Sequence, residues 1–188
     1  MLIHNYEKSI ITGIDEAGRG CLAGPVVVAA VTWPKQTDIP VADSKTLTEK
    51  KREHLFDLIL KNAIDYSFVA IDHRVIDTIN IRQATLLGMS QAYAKLQNKS
   101  ELLIIDGIDK PIDLSSAICL PKADSLIPAV SAASIIAKVI RDRMMSDFES
   151  IYPGYSFIQH KGYGTKKHRE AISLLGPCPI HRVSFKLI

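Results

Sequence analysis

Acidic residues at the ends of short apolar segments are the groups in this chain best placed to do chemistry. Asp15 and Glu16 follow the apolar stretch 10–14, Asp106 follows Leu-Leu-Ile-Ile, and Asp124 lies just beyond Ile-Cys-Leu-Pro. Open α/β sheets place their ligands at strand ends of this kind. A carboxylate beside a core strand is costly to desolvate unless a cation compensates it. An oxygen-rich acidic cluster suits the hard ions Mg2+ and Mn2+, and two such ions about 4 Å apart can clamp a phosphodiester in line. The competing reading is that an aspartate at a strand end forms a turn, as Asp106-Gly107 would in any protein. Asp15-Glu16 favours the metal, because a consecutive acidic pair beside glycines has no obvious cap to provide.

Groups suited to a polyanion stand near these acids in the sequence. Gly18-Arg19-Gly20 comes directly after the acidic pair, where glycine lets the backbone approach a ligand and backbone N–H groups can form an anion-binding concavity. In a helix expected over 127–149, Ser131, Ser134, Lys138 and Arg141 fall on one face, with Ala132, Ile135, Ile136 and Val139 on the core side. That stripe either grips a phosphate backbone or is a solvated amphipathic face. Asp43-Ser44-Lys45 either binds phosphate or makes a capped turn. Tyr163, between Gly162 and Gly164, either stacks on a base or sugar or packs inside. His181-Arg182-Val183-Ser184-Phe185 repeats the pairing of cation and hydroxyl.

Composition narrows the setting. The chain has 188 residues, enough for one domain over 1–188 with a real core, and its 47% hydrophobic content is too high for disorder. A net charge of +3 excludes a histone-like polycation and leaves room for a local basic face. Cys21, Cys119 and Cys178 form no CxxC pair, the pattern of a reducing compartment. Cys178 and His181 have a ligand-like spacing, but a pair alone is weak evidence for zinc. Residues 1–8 lack the apolar stretch of a signal peptide, and apolar runs such as 25–31 are too short to span a bilayer. A cytoplasmic monomer without a membrane partner is expected.

The elements that must position these groups follow from patterning. The weakly alternating segment 9–13 and the apolar run 25–33 predict two strands, joined as an antiparallel pair through a glycine-containing turn or bulge. Helices are predicted over 47–61 with Thr48 as cap, over 78–96 with Ile81, Ala84, Leu87, Ala92 and Leu96 buried, and over 127–149. Further strands are predicted at 65–71, 102–105 and 118–120. Segment 152–164, rich in Gly, Tyr and Pro, is expected to be loop, and Thr165 caps a last helix that Gly176-Pro177 stops. The result is an α/β layer fold with a mixed sheet.

Taken together, these motifs resemble bacterial ribonuclease HII. GIDEAGRG (13–20), DSK (43–45), NI (80–81), IDG (105–107), KADS (122–125), SAASIIAKVIRD (131–142), HKGYGT (160–165) and HRVSF (181–185) occur in the family's order across nearly the whole chain. The resemblance implies a ribonuclease H-like fold, a mixed five-stranded sheet flanked by helices, with a small helical C-terminal part at about 152–188. It implies cleavage of RNA in RNA–DNA hybrids and incision 5′ to a single ribonucleotide in duplex DNA, leaving 3′-hydroxyl and 5′-phosphate ends. Asp15, Glu16, Asp106 and Asp124 take the place of the metal-binding catalytic acids, with Mg2+ or Mn2+ as the cofactor. Gly18, Arg19 and Gly20 would read the ribose 2′-hydroxyl, and Tyr163 would assist and stack on the adjoining sugar. Ser44, Lys45, Ser131, Ser134, Lys138, Arg141 and Ser184 are then the candidates for phosphate contacts.

The sequence departs from the family pattern at Ala123, where relatives often have glycine, at Gly164, where many have proline, and in ending at Ile188, short of many relatives. These departures bear on substrate affinity rather than on the carboxylates. Ribonuclease HIII, a relative with a large N-terminal extension, fits less well, since fourteen residues precede Asp15. A non-catalytic nucleic-acid-binding module would not need intact carboxylates. A phosphatase of small phosphoesters would not explain Tyr163 or the basic helix stripe.

Overall fold

The computed structural model describes residues 9–35, 39–41 and 47–188. Five strands form one mixed sheet in the order β3-β2-β1-β4-β5. β1 (Ile11–Ala17) pairs antiparallel with β2 (Val26–Trp33), which pairs antiparallel with β3 (Asp65–Ile71). On its other side β1 pairs parallel with β4 (Leu102–Asp106), and β4 with β5 (Ile118–Leu120). The expected mixed five-stranded sheet is therefore present. β2 is buried at every position, as its unbroken apolar run requires of a strand covered on both faces.

Alternation along the strands sorts the two cores. Val27, Ala29, Val31 and Ile104 face α1 (Glu49–Asn62) and α3 (Pro128–Ile151), while Val26, Val28, Ala30, Leu103 and Ile105 face α2 (His73–Lys95). Thr48 caps α1 as expected, its hydroxyl accepting the Lys51 N–H. A third apolar cluster joins Leu22, Met145, Tyr155, Phe157, Ile172 and Ile180 beneath the C-terminal segment.

Several boundaries differ from expectation. β1 does not stop before the acidic pair but runs through Asp15 and Glu16 to Ala17, because β2 continues to pair with it there. α2 starts at His73, earlier than predicted, where Asp72 caps the Arg74 N–H. It is broken at Asn80, whose φ of 66° no helix accommodates. Of the expected buried stripe, Ala84, Ala92 and Leu96 are buried, Ile81 is partly so, and Leu87 is exposed; Gly88, which meets Val28 and Ile71, takes its place on the buried face. Within 152–164, taken above for loop, Phe157–His160 forms one helical turn (α4) between left-handed Ser156 and Lys161. Thr165 caps α5 (Lys166–Leu175), and Gly176 ends it at φ 75°.

The contact that positions the site is between α3 and β1. A Cβ on Gly13 would lie 2.4 Å from both Ala129 C and Val130 N, so helix and strand meet backbone to backbone. α3 is consequently buried all round through its first half, Ala129 to Ala137. Gly13→Ala should force these elements apart and cost about 1–3 kcal/mol of stability, the range for overpacking a filled core. Chemical denaturation checks this; an unchanged midpoint would show that the close approach carries no weight.

Candidate active site

Strand geometry places two of the acids. Ile14 pairs with Ile105 across β1 and β4, so Asp15 and Asp106 are the next residues on adjacent parallel strands. Residues 11, 13 and 15 share the α3 face of β1, as Ile104 and Asp106 share it on β4. Asp124 reaches the same point from the 3-10 turn Ala123–Ser125 after β5. Carboxylate oxygens of Asp15, Asp106 and Asp124 come within 4.8 Å of one another. Glu16, next along the strand, projects from the opposite face, and its Oε1 accepts from Arg19 at 3.3 Å.

The turn that presents Asp124 depends on Ala123. Its N–H donates to Asp106 Oδ1 at 2.7 Å, tying the two carboxylate-bearing segments together. The left-handed residue of this turn is Lys122, at φ 62°, so alanine at 123 is not asked to adopt a glycine conformation. Gly164, the other departure, lies against Leu22 and Arg169, with room for no more than a small adjustment if a Cβ were added.

Electrostatics explain what the cluster lacks. Asp15 is held well above the usual carboxylate range by burial, by Glu16 and by Asp106; hydrogen bonds from Ser134 and the Glu16 N–H oppose this only in part. Like charges converging in a buried place disfavour ionisation unless a cation joins them. Oxygen donors alone, from three segments, fit a hard divalent ion. Asp15, Asp106 and Asp124 would hold it, with Glu16 alongside.

Next to the acids lies a cleft of about 210 Å3, lined by Asp15, Glu16, Asp106, residues 17–20, Ser134, Lys138 and Tyr163. Two buried arginines shape its wall. Arg182 donates to the carbonyls of Gly18 (2.8 Å), Arg19 (2.9 Å) and Gly24 (3.0 Å). Arg141 donates to Pro25 (3.0 Å), Lys161 (2.8 Å) and Ala23 (3.1 Å). Gly18 has φ +99°, and a Cβ there would strike the Arg141 side chain at 2.0 Å, so no other residue fits. Burial and Arg141 lower Arg182 to about 10, which leaves it charged near neutral pH.

The expected stripe along α3 is thus corrected in part. Arg141 does not face solvent; it is fully buried among carbonyls because the Gly18 turn and the Lys161 turn close over it. Ser131 is buried and donates to the Asp124 carbonyl, supporting the turn rather than presenting a free hydroxyl. Ser134 is buried against Asp15. Lys138 reaches the cleft, pairs with Asp142 at 2.7 Å and lies 5.7 Å from the centre of the Tyr163 ring. Tyr163 is 44% exposed and forms a β-bridge with Cys21, so it is not a packed interior ring. Ser184 is exposed, its hydroxyl and N–H bound to the Asp77 carboxylate. Ser44 and Lys45 lie outside the described residues.

Arg182 was not among the sequence candidates, although it sits inside the HRVSF motif; burial of a cation leaves no mark in spacing. Cys178 and His181 do meet, Sγ to Nδ1 at 3.1 Å, but as hydrogen-bond partners.

Since Asp15 binds its proton more tightly folded than unfolded, its ionisation destabilises the metal-free protein as pH rises through and above the carboxylate range. Asp15→Asn should therefore raise the melting temperature of the metal-free protein at neutral pH, by about 2–4 °C per kcal/mol relieved. Mn2+ should raise the melting temperature of the unsubstituted protein and leave the variant's nearly unchanged. Equal Mn2+ responses in a calorimetric scan would remove Asp15 from the metal site.

Comparison with known proteins agrees with this geometry. The profile of the family described as Ribonuclease HII matches residues 12–188. The chain is 52% identical over 178 residues to a ribonuclease HII of Geobacter sulfurreducens, covering 94% of this chain and 82% of that protein. It is 51% identical over 184 residues to one of Endomicrobium trichonymphae, covering 96% and 88%. Among solved structures, the ribonuclease H2 of Pyrococcus horikoshii superposes with a TM-score of 0.81 at 28% identity, covering 95% of each chain. Among the described residues no helix is long and apolar enough to cross a membrane. A profile match over this length, with relatives at half identity over most of both chains, places the chain in the ribonuclease HII family of metal-dependent ribonucleases H, which cleave RNA in RNA–DNA hybrids.

Proposed function

We propose that this protein hydrolyses the phosphodiester on the 5′ side of a ribonucleotide, both in RNA–DNA hybrids and at a single ribonucleotide embedded in duplex DNA. The products would be 3′-hydroxyl and 5′-phosphate ends. One observation carries this reading: the cleft beside Asp15 and Asp106 is the same cleft that Gly18, Arg19, Gly20 and Tyr163 line. A reader of the sugar thus stands beside the acids that would hold the cutting machinery.

In this reading Asp15, Glu16, Asp106 and Asp124 would hold two Mg2+ or Mn2+ ions. Bound divalent ions supply the charge that makes a water nucleophilic at neutral pH and that stabilises the leaving 3′-oxygen. The rest falls to the chain's own groups. Ser134 and the Glu16 N–H orient the Asp15 carboxylate, and the Ala123 N–H orients that of Asp106. Arg182 draws the Gly18 and Arg19 carbonyls inward. In a trans peptide the following N–H points the opposite way, so the N–H groups of Arg19 and Gly20 face away from Arg182. They are the donors offered to the 2′-hydroxyl, the group that separates RNA from DNA. A donor that the bound strand covers and deoxyribose leaves unpaired makes an all-DNA strand a poor substrate. Tyr163 stacks on the adjoining sugar, and Lys138 faces the backbone phosphate. Every one of these residues comes from one chain, so the protein works as a monomer in this reading.

A labelled DNA duplex with one ribonucleotide, cleaved and mapped to the base, tests the proposal. The expected cut is 5′ to the ribonucleotide and needs a divalent metal; a cut 3′ to it, or none, would sink the assignment. Tyr163→Ala should cost about tenfold to a hundredfold on this substrate, the range of a stacking contact of about 1–3 kcal/mol. An equal, small loss on long hybrids and single-ribonucleotide duplexes would assign Tyr163 a packing role.

A further inference from the structure

Beneath Tyr163 lies a cluster of buried histidines that the chemistry above leaves unused. His160, His168 and His181 are each at most 8% exposed. His168 Nδ1 lies 2.9 Å from the Tyr163 carbonyl, His168 Nε2 lies 3.0 Å from His181 Nε2, and His181 Nδ1 lies 2.9 Å from the Cys178 N–H. His160 Nε2 meets the Tyr155 carbonyl at 2.7 Å, and its Nδ1 meets the Gly162 N–H at 3.2 Å. The His160 and His168 rings stack with centres 4.3 Å apart, and Phe157 presents its face or edge to both at about a right angle.

These contacts fix where the protons are. A carbonyl only accepts, so His168 carries its proton on Nδ1 and donates it to Tyr163. Neutral His168 then offers a lone pair at Nε2, which His181 Nε2–H must fill. His181 Nδ1 is left as an acceptor: it receives the Cys178 N–H at 2.9 Å, with the thiol 3.1 Å away, and the Cys178 carbonyl 3.2 Å from the same nitrogen is then a contact with no proton between the two atoms. The order is thus Cys178 to His181 to His168 to the Tyr163 carbonyl, each donor pointing toward the cleft. His160 closes the other side: Nε2–H donates to Tyr155 and Nδ1 accepts from Gly162. The imidazoles of His160 and His168 therefore grip the Lys161–Gly162 and Tyr163–Gly164 peptides, on either side of Tyr163.

We propose that His168 and His181 are positioning residues for ribonucleotide recognition, fixing the Tyr163 backbone through this ordered relay and so setting the place of its ring in the cleft. The proposal rests on the reading of Tyr163 given above. Burial supports it by lowering all three imidazoles, His168 to about 4, with Glu149 opposing this in part at His160. Among the described residues, the charged and titratable groups acting on His168 (His160, His181 and Arg169) all disfavour a second proton on it. Around His181 stand Cys178, His160, His73 and the Tyr155 and Phe157 rings, of which His160 and His73 likewise disfavour one. A second proton on His168 would have to sit on Nε2, facing the His181 N–H.

Two measurements decide the matter. In the protein labelled with 15N-histidine, NMR should show neutral His168 as the Nδ1–H tautomer and His181 as the Nε2–H tautomer at pH 7. His168 should stay neutral well below its ordinary 6.5. The opposite tautomer at His168, or titration near 6.5, overturns the relay. For function, His168→Asn keeps an N–H donor near the Nδ1 position, while His168→Leu keeps the bulk and loses the donor. On the single-ribonucleotide duplex in Mg2+, the Leu variant should fall about tenfold further in kcat/KM than the Asn variant, the equivalent of one hydrogen bond. That difference should vanish when both are made in a Tyr163→Ala background. Equal losses for Asn and Leu, or a difference that persists without Tyr163, overturn the positioning role; if the Leu variant does not fold, the tautomers decide it. If Tyr163→Ala alone cleaves at the full rate, the reading of Tyr163 fails and the positioning role with it, while the tautomers remain as found. Impaired Tyr163→Ala with the wrong tautomers overturns the relay alone.

Discussion

α3 lies on β1 with no side chain between them at Gly13, and the parts of the site are arranged along that helix as a consequence. Ser131 meets the Asp124 carbonyl and, one turn on, Ser134 meets Asp15. A further turn brings Lys138 beside Tyr163, then Arg141 beneath Gly18, then Met145 against Gly24 and Gly162. One rigid element therefore contacts in succession the acid cluster, the glycine turn and the tyrosine loop. Three segments distant in sequence keep a common frame only if the helix cannot shift, and direct backbone contact is the arrangement with the least slack.

The two ends of this frame carry opposite electrostatic problems. At the acid end, burial and the neighbouring carboxylates Glu16 and Asp106 make Asp15 resist ionising. At the glycine end, Arg141 and Arg182 are buried, and six carbonyls receive their guanidinium hydrogens. Carbonyl dipoles are weaker partners than carboxylates, but each carbonyl turned inward turns a neighbouring N–H outward. The arginines thus act through the backbone: they make the Gly18–Gly20 turn present donors, and they add positive potential behind a cleft suited to a phosphodiester.

Much of the architecture was legible in the sequence because the pattern and the environment agree. β2 is apolar at every position but Thr32 and buried throughout, Thr48 and Thr165 cap the helices they precede, and Asp15, Asp106 and Asp124 converge. What was not legible depended on contacts distant in sequence. Nothing local shows that Asn80 breaks α2, or that Gly88 rather than Leu87 takes the buried face. α4 exists because His160 bonds back to Tyr155 inside a segment whose composition suggests loop. Arg141 looked like one member of a basic stripe, since helical spacing gives a face but not what covers it. The covering turns come from residues 18–25 and 161–162.

The tyrosine loop shows why its two supports differ in charge. Arg141 binds the Lys161 carbonyl on one side, while neutral imidazoles bind the Gly162 N–H and the Tyr163 carbonyl on the other. Charged histidines would add cations to a corner where two arginines are already buried, and Arg182 is lowered by burial and by Arg141 even without them. Neutral histidine can donate at one nitrogen and accept at the other, which lets a chain of rings hold a carbonyl and an N–H together without added charge. The native fold gives up the His168 proton more readily than the unfolded chain, so acid below the ordinary histidine range favours opening of this corner. Fixed cations therefore set the glycine turn at any ordinary pH, whereas the position of Tyr163 depends on protons staying off the rings beneath it.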